Sequence, residues 1–483
     1  MNFKPVFHVI AWLLGVVALL MGGCGLVSFL HGEPAAAWTA LVYSAAGTLA
    51  AAAVLWVLTR NDQELSRRDG LGVVAFGWLC AGVAGAVPYL LSGTIASPTA
   101  AVFESVSGLT TTGASVIPVL EGVPKGILLW RALTHLVGGG GILVLVVAIL
   151  PIAGAGGMQL FRAEVAGPSK DRIEPRVAAT AKMLWGVYVL LNVALIFLLR
   201  LGGMDWFDAA CHAFATMATG GFSTRTASVA AYDSVYIESV LMAFMCFGAL
   251  NFALHYRALR GEFAPWWRDS STRFFLGAVA GATLFSAWIL HRSAADLAWG
   301  AALRQAAFTC VSLATTTGFC TADYDVWPRI LQVLLLLLML MGGCVGSTAG
   351  GIKVARVQMA LKAVAREIRL FMQPQAVLPV KLDQKRLDDD VLVPVLAFVA
   401  LYLLVAALGA GAMLAFAPDL ATAVSSVVAC MGGVGPGLSA VGPTCNYAGL
   451  PAGGQGVLIA LMLAGRLEFF TLLAVFMPAF WRK

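Results

Sequence analysis

The sequence predicts an all-α polytopic membrane protein: an N-terminal helix pair followed by four span–pore helix–span repeats in pseudo-fourfold arrangement. That makes ten spans and four re-entrant pore helices. Three observations predict it. Of 483 residues, 60% are hydrophobic and only 12% charged, with mean hydropathy +0.87; a soluble domain carries about 25% charged residues. Apolar runs long enough to cross a hydrocarbon core of about 30 Å recur along the whole chain. Finally, four shorter apolar stretches each run into a small-residue turn built around glycine.

Runs near 8–30 and 37–58 form the N-terminal pair, within residues 1–62. The first run is too long for a signal peptide and lacks a small-residue cleavage context. Pore repeat 1 (63–160) holds spans near 71–92 and 127–150, and repeat 2 (161–262) spans near 183–201 and 236–256. Repeat 3 (263–375) holds 274–291 and 330–351, and repeat 4 (376–483) holds 391–416 and 453–479. Inside each repeat a stretch too short to cross, near 98–109, 206–217, 299–314 and 418–431, enters and leaves on the same side. Such re-entrant backbone is tolerated only against protein or a wet cavity.

Charge sets the orientation. The termini and even-numbered gaps hold 23 of the 31 Lys and Arg residues, which places both termini in the cytoplasm and all four turns on the outer face. The outer gaps carry 7 basic against 11 acidic residues, and a negative mouth concentrates cations. Nine scattered cysteines form no Cys-x-x-Cys and read as packing residues; Cys320 and Cys445 both fall near the outer face without a spacing that pairs them. Six histidines show no metal spacing. The long cytoplasmic connections near 152–182 and 370–390 contain no phosphate loop, and Gly154-Ala155-Gly156-Gly157 lacks a preceding strand. Any nucleotide control must therefore come from a partner, and nothing points to nucleic acid or to a cofactor.

The turns carry the chemistry. They read Thr110-Thr111-Thr112-Gly113-Ala114-Ser115, Ala218-Thr219-Gly220-Gly221-Phe222-Ser223, Thr315-Thr316-Thr317-Gly318-Phe319-Cys320 and Gly432-Gly433-Val434-Gly435-Pro436-Gly437. From Gly113 to Gly220, Gly318 and Gly435 the steps are 107, 98 and 117 residues. Glycine takes positive φ cheaply, so carbonyls on both sides can be turned the same way. Four such turns around one axis give a ring of carbonyl oxygens, which replaces the water shell of a dehydrated alkali cation. The alternative, small residues for close helix packing, suits one turn better than four in register.

Three further features stand out. After Leu331–Met341, whose eleven helical residues rise only about 16 Å, comes Gly342-Gly343-Cys344-Val345-Gly346-Ser347-Thr348-Ala349-Gly350-Gly351. This glycine-rich break lies near mid-membrane beneath the third turn and reads as a gate, with a packing kink as the alternative. Lys353 follows and can hold it by pairing or by bonding carbonyls. Arg466 and Glu468 are intramembrane charges, functional by default. Arg466 forms a structural ion pair with Glu468 or with an acid from another repeat, or it faces the pore and repels cations by about 2 kcal/mol at roughly 8 Å and an effective dielectric near 20. Glu104 is expected to accept bonds from amides of the first turn, and Asn251–Tyr256 to close the sixth span as an interfacial anchor.

Phe103-Glu104-Ser105-Val106-Ser107-Gly108-Leu109-Thr110-Thr111-Thr112-Gly113, Ala218-Thr219-Gly220-Gly221-Phe222-Ser223-Thr224, Gly342 through Lys353, and Gly465-Arg466-Leu467-Glu468 resemble motifs of the Trk/Ktr/HKT superfamily of cation transporters. The extra N-terminal helix pair looks like its Trk-type bacterial potassium-uptake branch rather than the shorter Ktr subunits. The resemblance implies a homodimer in the bacterial inner membrane, each chain with its own pore passing K+ (and Rb+). It also implies a cytosolic nucleotide-binding regulatory subunit of TrkA type acting on the gate. Gly113, Gly220, Gly318 and Gly435 are then the filter glycines. Two departures are Gly433, where Asn is common, and His135, where Gln is expected.

The expectation is a passive potassium-selective pore in the lipid bilayer, with ion-binding residues Thr111, Thr112, Gly113, Thr219, Gly220, Gly221, Thr316, Thr317, Gly318, Val434 and Gly435. Its gate is Gly342, Gly343, Gly346, Ser347, Thr348, Gly350, Gly351 and Lys353. The alternative is a proton- or sodium-coupled symporter, which would want a deep carboxylate, and Glu468 is the only one. An intramembrane enzyme is not expected, since no nucleophile, base or metal ligands converge.

Overall fold

Helices account for nearly all regular structure in the computed structural model, which describes residues 2–60, 66–149, 173–293, 297–376, 378–383 and 385–481. The connection up to residue 172, with Gly154–Gly157, and the repeat boundaries at 62/63 and 160/161 lie outside the described residues. Among those described, six helices are by themselves long and apolar enough to cross a membrane, or seven spans if one bent pair counts as one. They include α1 (Phe3–Leu30), α2 (Ala35–Leu58) and α3 (Arg67–Leu91). The chain continues with the short α4 (Pro98–Leu109), then α5 (Lys125–Ile149) and α6 (Ile173–Leu201). The second short helix, α7 (Trp206–Met217), precedes α8 (Val235–Ala249), α9 (Phe252–Leu259), α10 (Ala264–Arg268) and α11 (Ser270–Ser293). After the third, α12 (Trp299–Ala314), come α13 (Arg329–Met341), α14 (Val354–Met372) and α15 (Asp389–Met413). The fourth, α16 (Leu420–Gly432), is followed by α17 (Ala452–Arg466), α18 (Phe469–Phe476) and α19 (Pro478–Trp481).

Three of the ten expected spans are interrupted rather than continuous. In the sixth, α8 and α9 meet at 107°. Leu250 is extended, and Asn251 caps α9 by accepting from the Ala253 amide at 2.9 Å. The stretch from Asn251 thus forms an elbow with Phe252 and His255 buried, His255 only 6% exposed. In the eighth, α13 stops at Met341, where Gly342 takes φ +66°, and a loop runs to Lys353. In the tenth, Glu468 at φ +56° separates α17 from α18. One departure from an all-α chain is a two-residue antiparallel pair, Lys381–Leu382 with Lys385–Arg386.

The short helices start where local chemistry dictates. Ser97 caps α4 with Pro98 in its first turn, Asp205 caps α7 through the Asp208 amide at 2.7 Å, and Asp419 caps α16 through the Thr422 amide at 2.8 Å. The N-terminal pair packs through α1 onto α3 and α5. Its connection is clamped by Glu33, which accepts from the Gly126 amide at 3.2 Å and from the Lys125 amide at the start of α5. A carboxylate there also meets the positive end of the α5 dipole. Glu33→Ala should lower stability by about 1 kcal/mol, read as a lower Tm in detergent; an unchanged Tm would show that this clamp does not hold the pair.

Candidate functional site

Each short helix ends in the same way. The residue two past the last helical one turns left-handed in the first three, and the one directly after it in the fourth: Thr111 at φ +54°, Thr219 at +53°, Thr316 at +57° and Gly433 at +70°. Its amide bonds three residues back (Gly108, Thr216, Leu313, Cys430), and the next amide bonds five back at 2.8–2.9 Å (Thr112 to Ser107, Gly220 to Ala215, Thr317 to Ser312, Val434 to Ala429). This is the Schellman arrangement. A β-branched threonine at positive φ is an outlier that costs of order 1–3 kcal/mol, and three of the four turns carry one.

The second special position of each turn closes a ring. Gly113, Gly221, Gly318 and Gly435 take φ of +79°, +78°, +81° and +98°. A Cβ on Gly113 would lie 1.9 Å from the Gly220 carbonyl oxygen, one on Gly221 1.9 Å from that of Thr317, and one on Gly318 1.9 Å from that of Val434. One on Gly435 would lie 2.7 Å from the Thr112 oxygen, returning to the first turn. Each turn thus abuts the carbonyl of the next in cyclic order. In register, Gly221 and not Gly220 matches Gly113, while Gly220 matches Thr112, Thr317 and Val434. The glycine pair in the second turn hid that offset from the sequence. The four ring glycines line a cavity of about 100 Å³.

Behind the ring the turns are braced. Thr110 and Thr112 share a hydroxyl bond at 2.8 Å, as do Thr315 and Thr317. Tyr447 donates its hydroxyl to the Gly435 carbonyl at 2.6 Å. Glu104, fully buried, accepts from the Val116 amide at 2.8 Å and pairs with Arg131 at 2.8 Å. Arg131 reaches on to the Ser223 carbonyl at 3.0 Å, joining the first turn to the second. Glu104 thus holds an amide just past the first turn and, beyond the expectation for it, a buried cation. Its signal was available: an arginine at the head of an apolar run. Tyr447 offered none.

Under the ring lies the loop 342–353. Ser347 and Thr348 are fully buried. Cys344 and Thr348 amides bond the Ala249 and Gly248 carbonyls at 2.8 and 3.2 Å, and the Phe252 amide bonds the Gly346 carbonyl at 3.0 Å. The broken sixth span thus supplies the backbone groups that the loop needs. Thr348 also donates its hydroxyl to the Met217 carbonyl at 2.9 Å, and the Gly350 amide donates to the Thr316 hydroxyl at 2.8 Å. Gly342 and Gly351, at φ +66° and +75°, form the loop's two ends, and Gly343 packs on Ala349. Lys353 donates its ammonium to the Ala349 carbonyl, the bonding role foreseen for it.

Arg466 is not paired with Glu468. Its guanidinium donates to the Thr348 carbonyl of the loop at 2.9 Å and to the Gly138 carbonyl of α5 at 3.0 Å. Glu468 pairs instead with Arg356 of α14 at 2.8 Å. The left-handed Glu468 ends the α17 helix and sends the two charges to different partners.

A family model described as TrkH, cation transport protein, matches residues 40–483. The chain is 40% identical to the Trk system potassium uptake protein TrkH of Escherichia coli K12, over 99% of this chain and all of that protein. It is 39% identical to TrkH of Halomonas elongata over the full length of both, and 35% identical to TrkG of E. coli K12 over 89% of this chain and 88% of that one. Among solved structures, the potassium transporter TrkH from Vibrio parahaemolyticus superposes with a TM-score of 0.91 at 36% identity, covering both chains completely. Its sequence and its helical architecture together place this chain in the TrkH family of cation transport proteins.

Proposed function

We propose that this chain is the potassium-conducting subunit of a Trk-type uptake system: K+ (and Rb+) passes passively through a filter made by the four turns. The observation that carries the reading is the cyclic abutment of Gly113, Gly221, Gly318 and Gly435 on the carbonyls of Gly220, Thr317, Val434 and Thr112. Carbonyls brought round one axis by four linked turns can exchange for hydration water. The four short helices point their C-terminal, negative dipole ends at the same place. On this reading they are re-entrant pore helices, eight spans in four repeats surround them beside the N-terminal pair, and the ring faces the periplasm with both termini cytoplasmic. At the outer mouth the Thr226 hydroxyl and amide hold Glu121 below the usual carboxylate range. At 100 mV a monovalent cation gains about 2.3 kcal/mol on entry, so uptake needs no chemistry in the chain.

The loop 342–353 is the gate, and its present bonds hold it shut. It bonds Met217 at the end of the second short helix and Thr316 in the third turn, and reaches the first repeat through Arg466 and Gly138. α14 follows it directly, giving a cytosolic TrkA-type nucleotide-binding partner a lever on the loop; the functional assembly is a homodimer with one pore per chain. Proton or sodium coupling is disfavoured because Glu468, the deep carboxylate it would use, is committed to Arg356.

Gly113→Ser forces a Cβ against the Gly220 carbonyl at a positive-φ site. The K+ to Na+ permeability ratio in proteoliposomes should fall about tenfold, the scale of 1.4 kcal/mol; an unchanged ratio would sink the filter assignment. Deleting Gly343–Gly350 should raise K+ flux in the absence of any cytosolic partner, whereas flux no higher than that of the intact chain would mean the loop does not close the path. Arg466→Ala removes the tie between loop and α5, so resting flux should rise while the protein stays folded. Loss of folded protein would instead make that arginine purely structural.

A further inference from the structure

At the position just before each ring glycine, one turn differs from the other three. Where the first, third and fourth carry the β-branched side chains of Thr112, Thr317 and Val434, the second carries Gly220. Nothing in its backbone demands glycine, since Gly220 is not among the positive-φ residues. The space that a side chain would take is nonetheless full. A Cβ on Gly220 would lie 1.9 Å from His135 Nδ1, 2.4 Å from Cε1 and 2.7 Å from Cγ, and these are its three nearest atoms.

His135 comes from α5, in the first repeat. It stands four residues after Arg131, which bonds the Ser223 carbonyl, and three before Gly138, whose own Cβ would lie 1.9 Å from the Leu109 carbonyl. One face of α5 is therefore laid along the first and second turns. The imidazole is fully buried, and its ring lies 4.2 Å from that of Phe222. Neither ring nitrogen has a hydrogen-bond partner among the described residues. The contact with Gly220 is thus one of shape.

We propose that His135 is a positioning residue for the second turn: its imidazole stands in for the side chain that turn lacks and holds the Gly220 carbonyl in the ring. This rests on the reading of the ring as a filter. That carbonyl is the one against which Gly113 closes, so a shift of Gly220 is felt in the first turn as well. His135 and Gly220 form one complementary unit, large on α5 and empty on the turn, where the other turns carry their own filling.

The test uses the purified full-length chain in detergent, with melting temperature followed as K+ replaces Na+, because an ion that binds the folded state raises Tm by mass action whether or not the gate is open. The apparent K+ affinity should fall about tenfold in His135→Ala and in Gly220→Val, stay near that of the parent in His135→Gln, and recover in the His135→Ala/Gly220→Val double variant. A merely structural role would lower Tm equally in both salts and leave the K+ dependence intact, which overturns the proposal, as does a double variant no better than either single one. Should His135→Ala not be recovered folded, return of folded, K+-protected protein in the double variant supports the proposal and its absence refutes it. Gly113→Ser separates the two levels. If it abolishes K+ protection while His135→Ala does not, only the role of His135 falls. If the parent chain shows no K+-specific protection, the filter reading itself falls.

Discussion

Everything in this molecule depends on how closely four backbone segments approach one another. Each turn lies so near its neighbour that a single methyl group at the glycine would penetrate the next carbonyl. Such proximity between polar backbones is unfavourable in a low-dielectric interior unless something compensates, and on the proposed reading the compensation is an unhydrated cation among the oxygens. The surroundings are organised to hold that geometry. The Schellman ends fix the direction of each turn, the threonines accept an unfavourable φ, and the Glu104–Arg131 pair ties two turns together.

The breaks in three of the spans follow from the same need. Backbone that leaves the helix inside a bilayer must find partners within the protein. Here the breaks serve one another: Gly248 and Ala249 at the end of α8 accept from the loop after α13, and that loop returns a carbonyl to Phe252. Arg466, at the end of α17, caps the Thr348 carbonyl. A loop beneath the ring is tolerable because neighbouring helices are interrupted beside it and offer it their free backbone groups.

Much of this was legible in the sequence, for reasons that can be named. The first three short helices match their expected bounds because an apolar stretch runs straight into a glycine turn; the fourth, Leu420–Gly432, starts two residues and ends one residue later than expected, and α13 ends where expected because glycine follows Met341. Lys353 was placed by its adjacency to the loop. What failed were statements about partners across the fold. Arg466 and Glu468 are two residues apart, which suggests a pair, yet the left-handed Glu468 separates them. Leu250-Asn251 carries no proline or glycine, so the 107° elbow left no local mark. The Gly220–Gly221 pair offered two registers, and only the positive φ of Gly221 distinguishes them.

Because all four turns belong to one polypeptide, the ring is only approximately symmetric, and the differences are concrete. The fourth turn has Gly433 where the others strain a threonine, and the second has an empty position filled from elsewhere. In an assembly of four identical chains, any substitution is imposed four times at once and must be tolerable fourfold. Here a gene can alter one quarter of the ring and leave three untouched. Gene duplication and fusion thus convert an all-or-nothing site into one that can drift stepwise, with each quadrant free to become a specialist.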